Sequence, residues 1–200
     1  KDAFVQGRYY DTSGDAGTAG QVLSSTATGT NWVAQTASTT LNGLTDVLVQ
    51  GDSYYIGTIP AGLSGAPNSN TTIGVAGTAL TTGDRNILVG NGAGNLITTG
   101  LSNLAIGAGA LAVQVGGDGN VAVGSSALLN QISGDDNTAV GNNAGDAVTT
   151  GGLNTLIGNE TGDNLTTGIR NTFIGANTGD VVISGDSNIH LGYSINASSV

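Results

Sequence analysis

Few residues in this chain could do chemistry. There is one histidine, His190, one glutamate, Glu160, and in the C-terminal two thirds a scatter of aspartates: Asp84, Asp118, Asp135, Asp136, Asp146, Asp163, Asp180 and Asp186. Nucleophilic catalysis would require His190 beside an activated serine, held by a third group. Glycoside cleavage would require two carboxylates flanking one bond. The aspartates instead fall among Gly, Asn and Ser, where turns favour them. Neighbouring Asp135 and Asp136 alternate in direction and would not face one bond. The expectation is no enzyme, no catalytic residue and no cofactor, with His190 a packed or axial structural residue.

What positions these groups is a repeat. Asparagine returns every seventeen residues at Asn86, Asn103, Asn120, Asn137, Asn154, Asn171 and Asn188. Four residues after each comes a glycine, from Gly90 to Gly192, preceded by an aliphatic residue; a second glycine closes six units, from Gly100 to Gly185. Asn70, Ile73, Gly74 and Gly83 form an earlier copy with one residue fewer before Asn86. A short fixed period marks a solenoid whose units stack only on their neighbours. Two or three glycines per unit leave no interval for a helix. Segments such as Asn137-Thr138-Ala139-Val140 and Asn171-Thr172-Phe173-Ile174 read as strands, with glycine at the corners. The asparagines, one coil apart, could form a hydrogen-bonded ladder.

If Asn is place one, strand alternation puts places two and four on one face and place three on the other. Places two and four (Ile87/Val89, Leu104/Ile106, Val121/Val123, Thr138/Val140, Thr155/Ile157, Thr172/Ile174, Ile189/Leu191) are expected to fill the coil. Place three, Leu88, Ala105, Ala122, Ala139, Leu156, Phe173 and His190, is then an outward apolar row. A strand apolar on both faces must be covered on both, and other copies around a symmetry axis would cover the second face most economically. These seven residues are therefore the expected interface of a homo-oligomer.

The units Asn103-Leu104-Ala105-Ile106-Gly107-Ala108-Gly109-Ala110 and Asn137-Thr138-Ala139-Val140-Gly141-Asn142-Asn143-Ala144 resemble the N-[ST]-x-A-[IV]-G-x-x-A repeats of trimeric autotransporter adhesin heads. Thr149-Thr150-Gly151-Gly152-Leu153-Asn154 is similar to repeats in fibre proteins of marine bacteriophages. The resemblance covers roughly residues 70 to 195, with units longer than the adhesin ones. It implies a parallel β-roll wound as a homotrimer, intertwined or side by side, in a bacteriophage fibre or spike, tail or capsid, that mediates or presents host attachment. It also implies a host surface receptor and a place on the virion surface. The alternative is the head of a bacterial cell-surface adhesin. An ice-binding solenoid is a further alternative: Thr98-Thr99, Thr149-Thr150 and Thr166-Thr167 would form its face, but Val115-Gly116, Ile132-Ser133 and Ile183-Ser184 break the ladder. Turns such as Gly116-Gly117-Asp118-Gly119-Asn120 glance toward calcium-binding β-roll nonapeptides, yet Leu101 or Ile169 replaces aspartate in other coils, so no metal ladder is expected.

Composition narrows the partners. The 200 residues carry a formal charge of −10, with 4 Lys and Arg against 14 Asp and Glu. That excludes a phosphate-binding surface for nucleic acid and a polybasic attraction to anionic lipid. No run of eighteen apolar residues offers a membrane span. Cysteine is absent, which removes disulfides and thiolate metal sites. Methionine is absent too, even at position 1, so the chain is expected to be a processed product or a piece of something longer.

The sequence before the repeat divides further. Residues 1–43 are expected to be an N-terminal attachment and linker module, contacting other virion proteins through Arg8, Tyr9, Tyr10 and Trp32. Within it, Gly14 to Leu23 followed by Thr28-Gly29-Thr30-Asn31-Trp32-Val33 resembles a small module of phage fibres, read as strand Gln21 to Ser25, a turn and a second strand at Trp32. Residues 44–69 are expected to be a capping hairpin, Leu44 to Val49 and Ser53 to Gly57, plus a loop holding Pro60 and Pro67. The rod is 70–195 and the tail 196–200. The fold class expected is all-β: a parallel solenoid of 17-residue coils with a small non-repeat N-terminal β region.

Overall fold

A computed structural model describes residues 21–26, 29–34, 47–50, 52–57 and 69–196. The expectations for Arg8, Tyr9, Tyr10, the linker, the Pro60/Pro67 loop and the last four residues lie outside the described residues, as does the side chain of Trp32. The chain divides into two units, Lys1–Gly43 and Leu44–Val200. In the first, β1 (Gln21–Thr26) and β2 (Gly29–Ala34) pair antiparallel.

The second unit holds a ten-stranded sheet. β3 (Val47–Gln50) and β4 (Ser53–Gly57) form an antiparallel hairpin. β4 then pairs in parallel with β5 (Thr71–Gly74), and each later strand adds in parallel to the one before: β6 (Ile87–Val89), β7 (Leu104–Ile106), β8 (Val121–Val123), β9 (Thr138–Val140), β10 (Thr155–Ile157), β11 (Thr172–Ile174) and β12 (Ile189–Leu191). The register is constant, Leu88 beside Ala105, Ala105 beside Ala122, Ala122 beside Ala139. The chain is a parallel β-solenoid of about seven turns, seventeen residues apart.

The assignment of strand faces is the reverse of the expected one. Leu88, Ala105, Ala122, Ala139, Leu156 and Phe173 are fully buried within the single chain, and His190 is 7% exposed. Places two and four point outward: Ile87, Ile106, Val140, Ile157 and Ile174 are all exposed. Place three therefore lines the core and cannot be the surface that meets another copy. The cause lies in place one. Asn70 to Asn171 are each 0–1% exposed, and with period two a strand whose first residue points inward also points its third inward.

The core is narrow and packs by exchange of volume. Besides places one and three it takes place eight (Ala93, Ala110, Ala127, Ala144) and place twelve (Leu80, Ile97, Val148, Leu165, Val182). Place nine sits between successive place-three side chains. A Cβ built on Gly162 would lie 3.2 Å from both Leu156 and Phe173, and one on Gly94 would lie 2.8 Å from Leu88. Where both flanking place-three residues are alanine, leucine fills the space instead: Leu111 between Ala105 and Ala122, Leu128 between Ala122 and Ala139. Both leucines accept a left-handed backbone, φ 52° and 51°, to do so.

Two corners demand glycine. Gly90 has φ 127°, and a Cβ there would meet the Gly107 carbonyl oxygen at 2.8 Å; at Gly100 a Cβ would lie 2.7 Å from the Gly117 oxygen. Successive coils touch backbone to backbone at both places, so no flexible side chain can yield.

This packing yields two expectations. Ala122→Asp buries a carboxylate with no partner and should abolish the cooperative thermal transition, because an unpaired buried charge costs more than a small domain can offset. Leu156→Ala should cost about 2–5 kcal/mol in denaturant unfolding. Adding Gly145→Leu to it recreates the alanine-flanked environment of Leu128 and should restore part of that loss. Greater destabilisation of the double variant than of Leu156→Ala would refute the exchange rule.

Candidate functional site

The candidate site is the outer strand face, formed by places two and four. Along it run two rows, place two (Thr71, Ile87, Leu104, Val121, Thr138, Thr155, Thr172, Ile189) and place four (Ile73, Val89, Ile106, Val123, Val140, Ile157, Ile174, Leu191), with no charged residue in either. Eight strands about 4.8 Å apart make a strip about 35 Å long and about 12 Å wide, on the order of 400 Å². That lies within the size range, about 300–600 Å², of the largest apolar patch on an ordinary soluble chain. Regular strands hold it flat, because every coil repeats the same backbone register.

The repeat asparagines hold the coils together from inside. In Asn137 the backbone N–H donates to Asn120 Oδ1 at 2.9 Å, and Nδ2 donates to Asn120 Oδ1 at 3.2 Å and to the Gly151 carbonyl at 2.8 Å. The same three bonds recur at Asn86, Asn103, Asn154 and Asn171. At the N-terminal end the Asn70 N–H donates to Ser53 Oγ at 3.0 Å, so a hydroxyl in β4 starts the column. Sequence reasoning missed Ser53, because a lone serine in a non-repeat strand carries no periodic signal.

Three aspartates serve the turns. Asp118 Oδ1 accepts from the Leu101 N–H at 2.7 Å, Asp135 Oδ1 from Asp118 at 2.9 Å, and Asp186 Oδ1 from Ile169 at 2.9 Å. Each aspartate thus caps an exposed N–H of the coil before it. His190 stacks on Phe173, ring centroids 4.8 Å apart, and its Nδ1 has no hydrogen-bond partner. Thr98, Thr149 and Thr166 spend their hydroxyls on carbonyls of the next coil. Gln114 and Gln131 are buried, each giving Nε2 to a glycine carbonyl while Oε1 is left without a partner. Among the described residues there is no pocket and no group of three or more His, Cys, Asp or Glu placed to hold a metal, and no helix is long and apolar enough to cross a membrane.

One acidic column is electrostatically loaded. Asp146, Asp163 and Asp180 occupy the same place in three successive coils, with Glu160 nearby. Burial raises all three above the ordinary carboxylate value, and repulsion adds to it: from Asp163 on Asp146 and Asp180, and from Glu160 on Asp163. A carboxyl whose folded value is raised holds its proton more tightly in the fold. Its stability contribution is therefore complete below the unfolded value, about 3.9, and is lost as pH rises through the folded value. Asp163→Asn should raise the melting temperature at pH 7, with the gain shrinking to nothing by about pH 3. A gain that is equal at both pH values would assign the effect to packing rather than charge. Compared with known protein families, curated proteins and solved structures, the chain matches none.

Proposed function

We propose that this chain is a structural segment of a trimeric fibre or spike on the surface of a virus particle, a rod that carries or presents the host-binding function to a surface receptor. Residues 1–43 join it to other virion proteins. The observation that carries this reading is the bare outer strand face: two unbroken rows of aliphatic and threonine side chains along the whole rod, on a chain whose formal charge is −10. Charged residues make up only 9% of the chain, and none of them falls on this face.

Two such strips facing each other bury on the order of 800 Å², and three around an axis on the order of 1,200 Å² shared among three pairwise contacts. The interface therefore moves from place three, where the sequence put it, to places two and four. A stack held by an internal amide column suits a passive, stiff spacer.

Assembly is tested by Ile106→Asp, a residue 39% exposed in the single chain. The variant should keep the parent's β-sheet circular dichroism but sediment as a monomer, whereas the parent sediments as a trimer. A parent that stays monomeric at micromolar concentration would remove the trimer. The place on a particle is tested by electron microscopy of native virions with antibody raised against residues 70–195. Labelling of a projecting fibre is expected, and labelling confined to an infected cell's own envelope would overturn the viral reading.

A further inference from the structure

The main-chain bonds that tie coil to coil recur along the rod with one interruption. On the strand side the place-two N–H donates to the asparagine carbonyl of the next coil at every junction, from Thr71 to Asn86 (2.8 Å) through Thr172 to Asn188 (2.8 Å). On the turn side places nine and thirteen also donate to the next coil, as Gly94 to Ala110 (2.8 Å) and Thr98 to Val115 (3.0 Å), or Gly145 to Thr161 (2.9 Å) and Thr149 to Thr166 (2.8 Å). Between them, at place eleven, Ala79, Leu96, Val113 and Asn130 each donate to the place-ten carbonyl one coil on, at 3.1–3.2 Å. Ala147 and Asn164 hold the same place, and their N–H groups make no such bond. Asn164 bridges its gap with the side chain, Nδ2 donating to the Asp180 carbonyl at 2.7 Å, but Ala147 has no side chain with which to do so.

The loss begins where the residue before the donor becomes aspartate. Thr78, Asn95, Ala112 and Leu129 precede the four donors that bond, and Asp146 and Asp163 precede the two that do not. A carboxylate one residue back competes with a distant carbonyl for the N–H, and the Ala147 N–H lies against the Asp146 carboxyl. Asn95 does not compete in this way, because its Oδ1 already accepts from the Thr78 hydroxyl. The core beneath the gap is slight as well: Ala144, Gly145 and Val148, where the two preceding coils carry Leu111 and Leu128 at place nine. The strand side of the same junction is intact, with the Thr138 N–H on the Asn154 carbonyl at 2.7 Å and Asn154 bonded twice to Asn137 Oδ1 at 3.0 Å.

We infer that the junction between the Asn137 coil and the Asn154 coil is a yield point, where the turn side opens while the strand side holds and the rod bends toward its strand face. Coils that touch only their neighbours confine such an opening to the junction where it starts. The inference goes beyond the fibre reading and does not need it: every bond it uses lies within one chain, so it stands whether or not chains assemble.

Native-state hydrogen exchange on the full chain tests it. The Gly145 and Thr149 amides donate across this junction and the Gly94 and Thr98 amides across a complete one, so the residue types match in both pairs. Corrected for intrinsic rates, Gly145 and Thr149 should exchange roughly tenfold faster than Gly94 and Thr98, the effect of about one net hydrogen bond. Thr138, on the strand side, should stay as protected as Leu104. Asp146→Ala removes the competing carboxylate, leaves the Ala147 N–H free to reach the Asp163 carbonyl, and should slow the Gly145 and Thr149 amides to the rates of their counterparts. Equal protection across the two junctions in the parent, or a difference that persists in Asp146→Ala, would overturn the inference.

Discussion

Everything in the rod depends on a column of buried carboxamides. An amide in a dry interior is costly unless all its donors and its acceptor are engaged. Asparagine at place one meets that condition only when an identical asparagine lies one coil away and a glycine carbonyl lies fourteen residues on, as with Asn120, Asn137 and Gly151. The requirement brings successive asparagines into line coil by coil, across sixteen residues from Asn70 to Asn86 as well as across seventeen from Asn86 to Asn103. It fixes the strand face as well, since place one must point inward. No aliphatic core as thin as this one, alanine at Ala105, Ala122 and Ala139 of place three and at most of place eight, would by itself specify which coil sits on which.

That constraint also explains what the sequence disclosed and what it concealed. The period, the parallel strands and the glycine corners were legible because each recurs at a fixed interval and has a single structural meaning. The direction of the faces was concealed by a conflict between two signals. Val123, Ile157 and Ile174 are β-branched and apolar, which reads as core, yet that preference reflects fit to a pleated strand as much as burial. The decisive signal was the asparagine: a ladder that runs inside the coil makes place three its neighbour inside. Alanine at Ala105, Ala122 and Ala139 agrees, since a coil of seventeen residues has little room. The outer site followed only once the faces were right. Thr138, Thr155 and Thr172 are plain in the sequence, but strand alternation read from the aliphatic residues alone turns them inward.

Irregularities in the repeat have local causes. Leu111 and Leu128 accept a backbone that glycine would adopt freely, in exchange for filling space that alanines leave open. Asp118, Asp135 and Asp186 appear where an N–H of the preceding coil needs an acceptor; Leu101 and Ile169 occupy the same place as donors of their own backbone N–H to aspartates one coil on. Variation at a position is thus tolerated where the neighbouring coil compensates, and glycine persists where two backbones touch.

The Ser53 hydroxyl gives the stack a beginning. It occupies the acceptor position that every later asparagine offers to its successor, and it belongs to β4, which is already paired on its other side by β3. Each new coil needs only the one synthesised before it as a template, seventeen residues earlier, so no contact waits on distant chain. A polypeptide leaving the ribosome could lay down the rod one turn at a time from a finished edge, as masonry rises from a footing course, with the first coil one residue shorter than the rest. Order of synthesis and order of folding then coincide, and the unfinished sheet edge is at any moment a single strand of three residues rather than a broad surface open to aggregation.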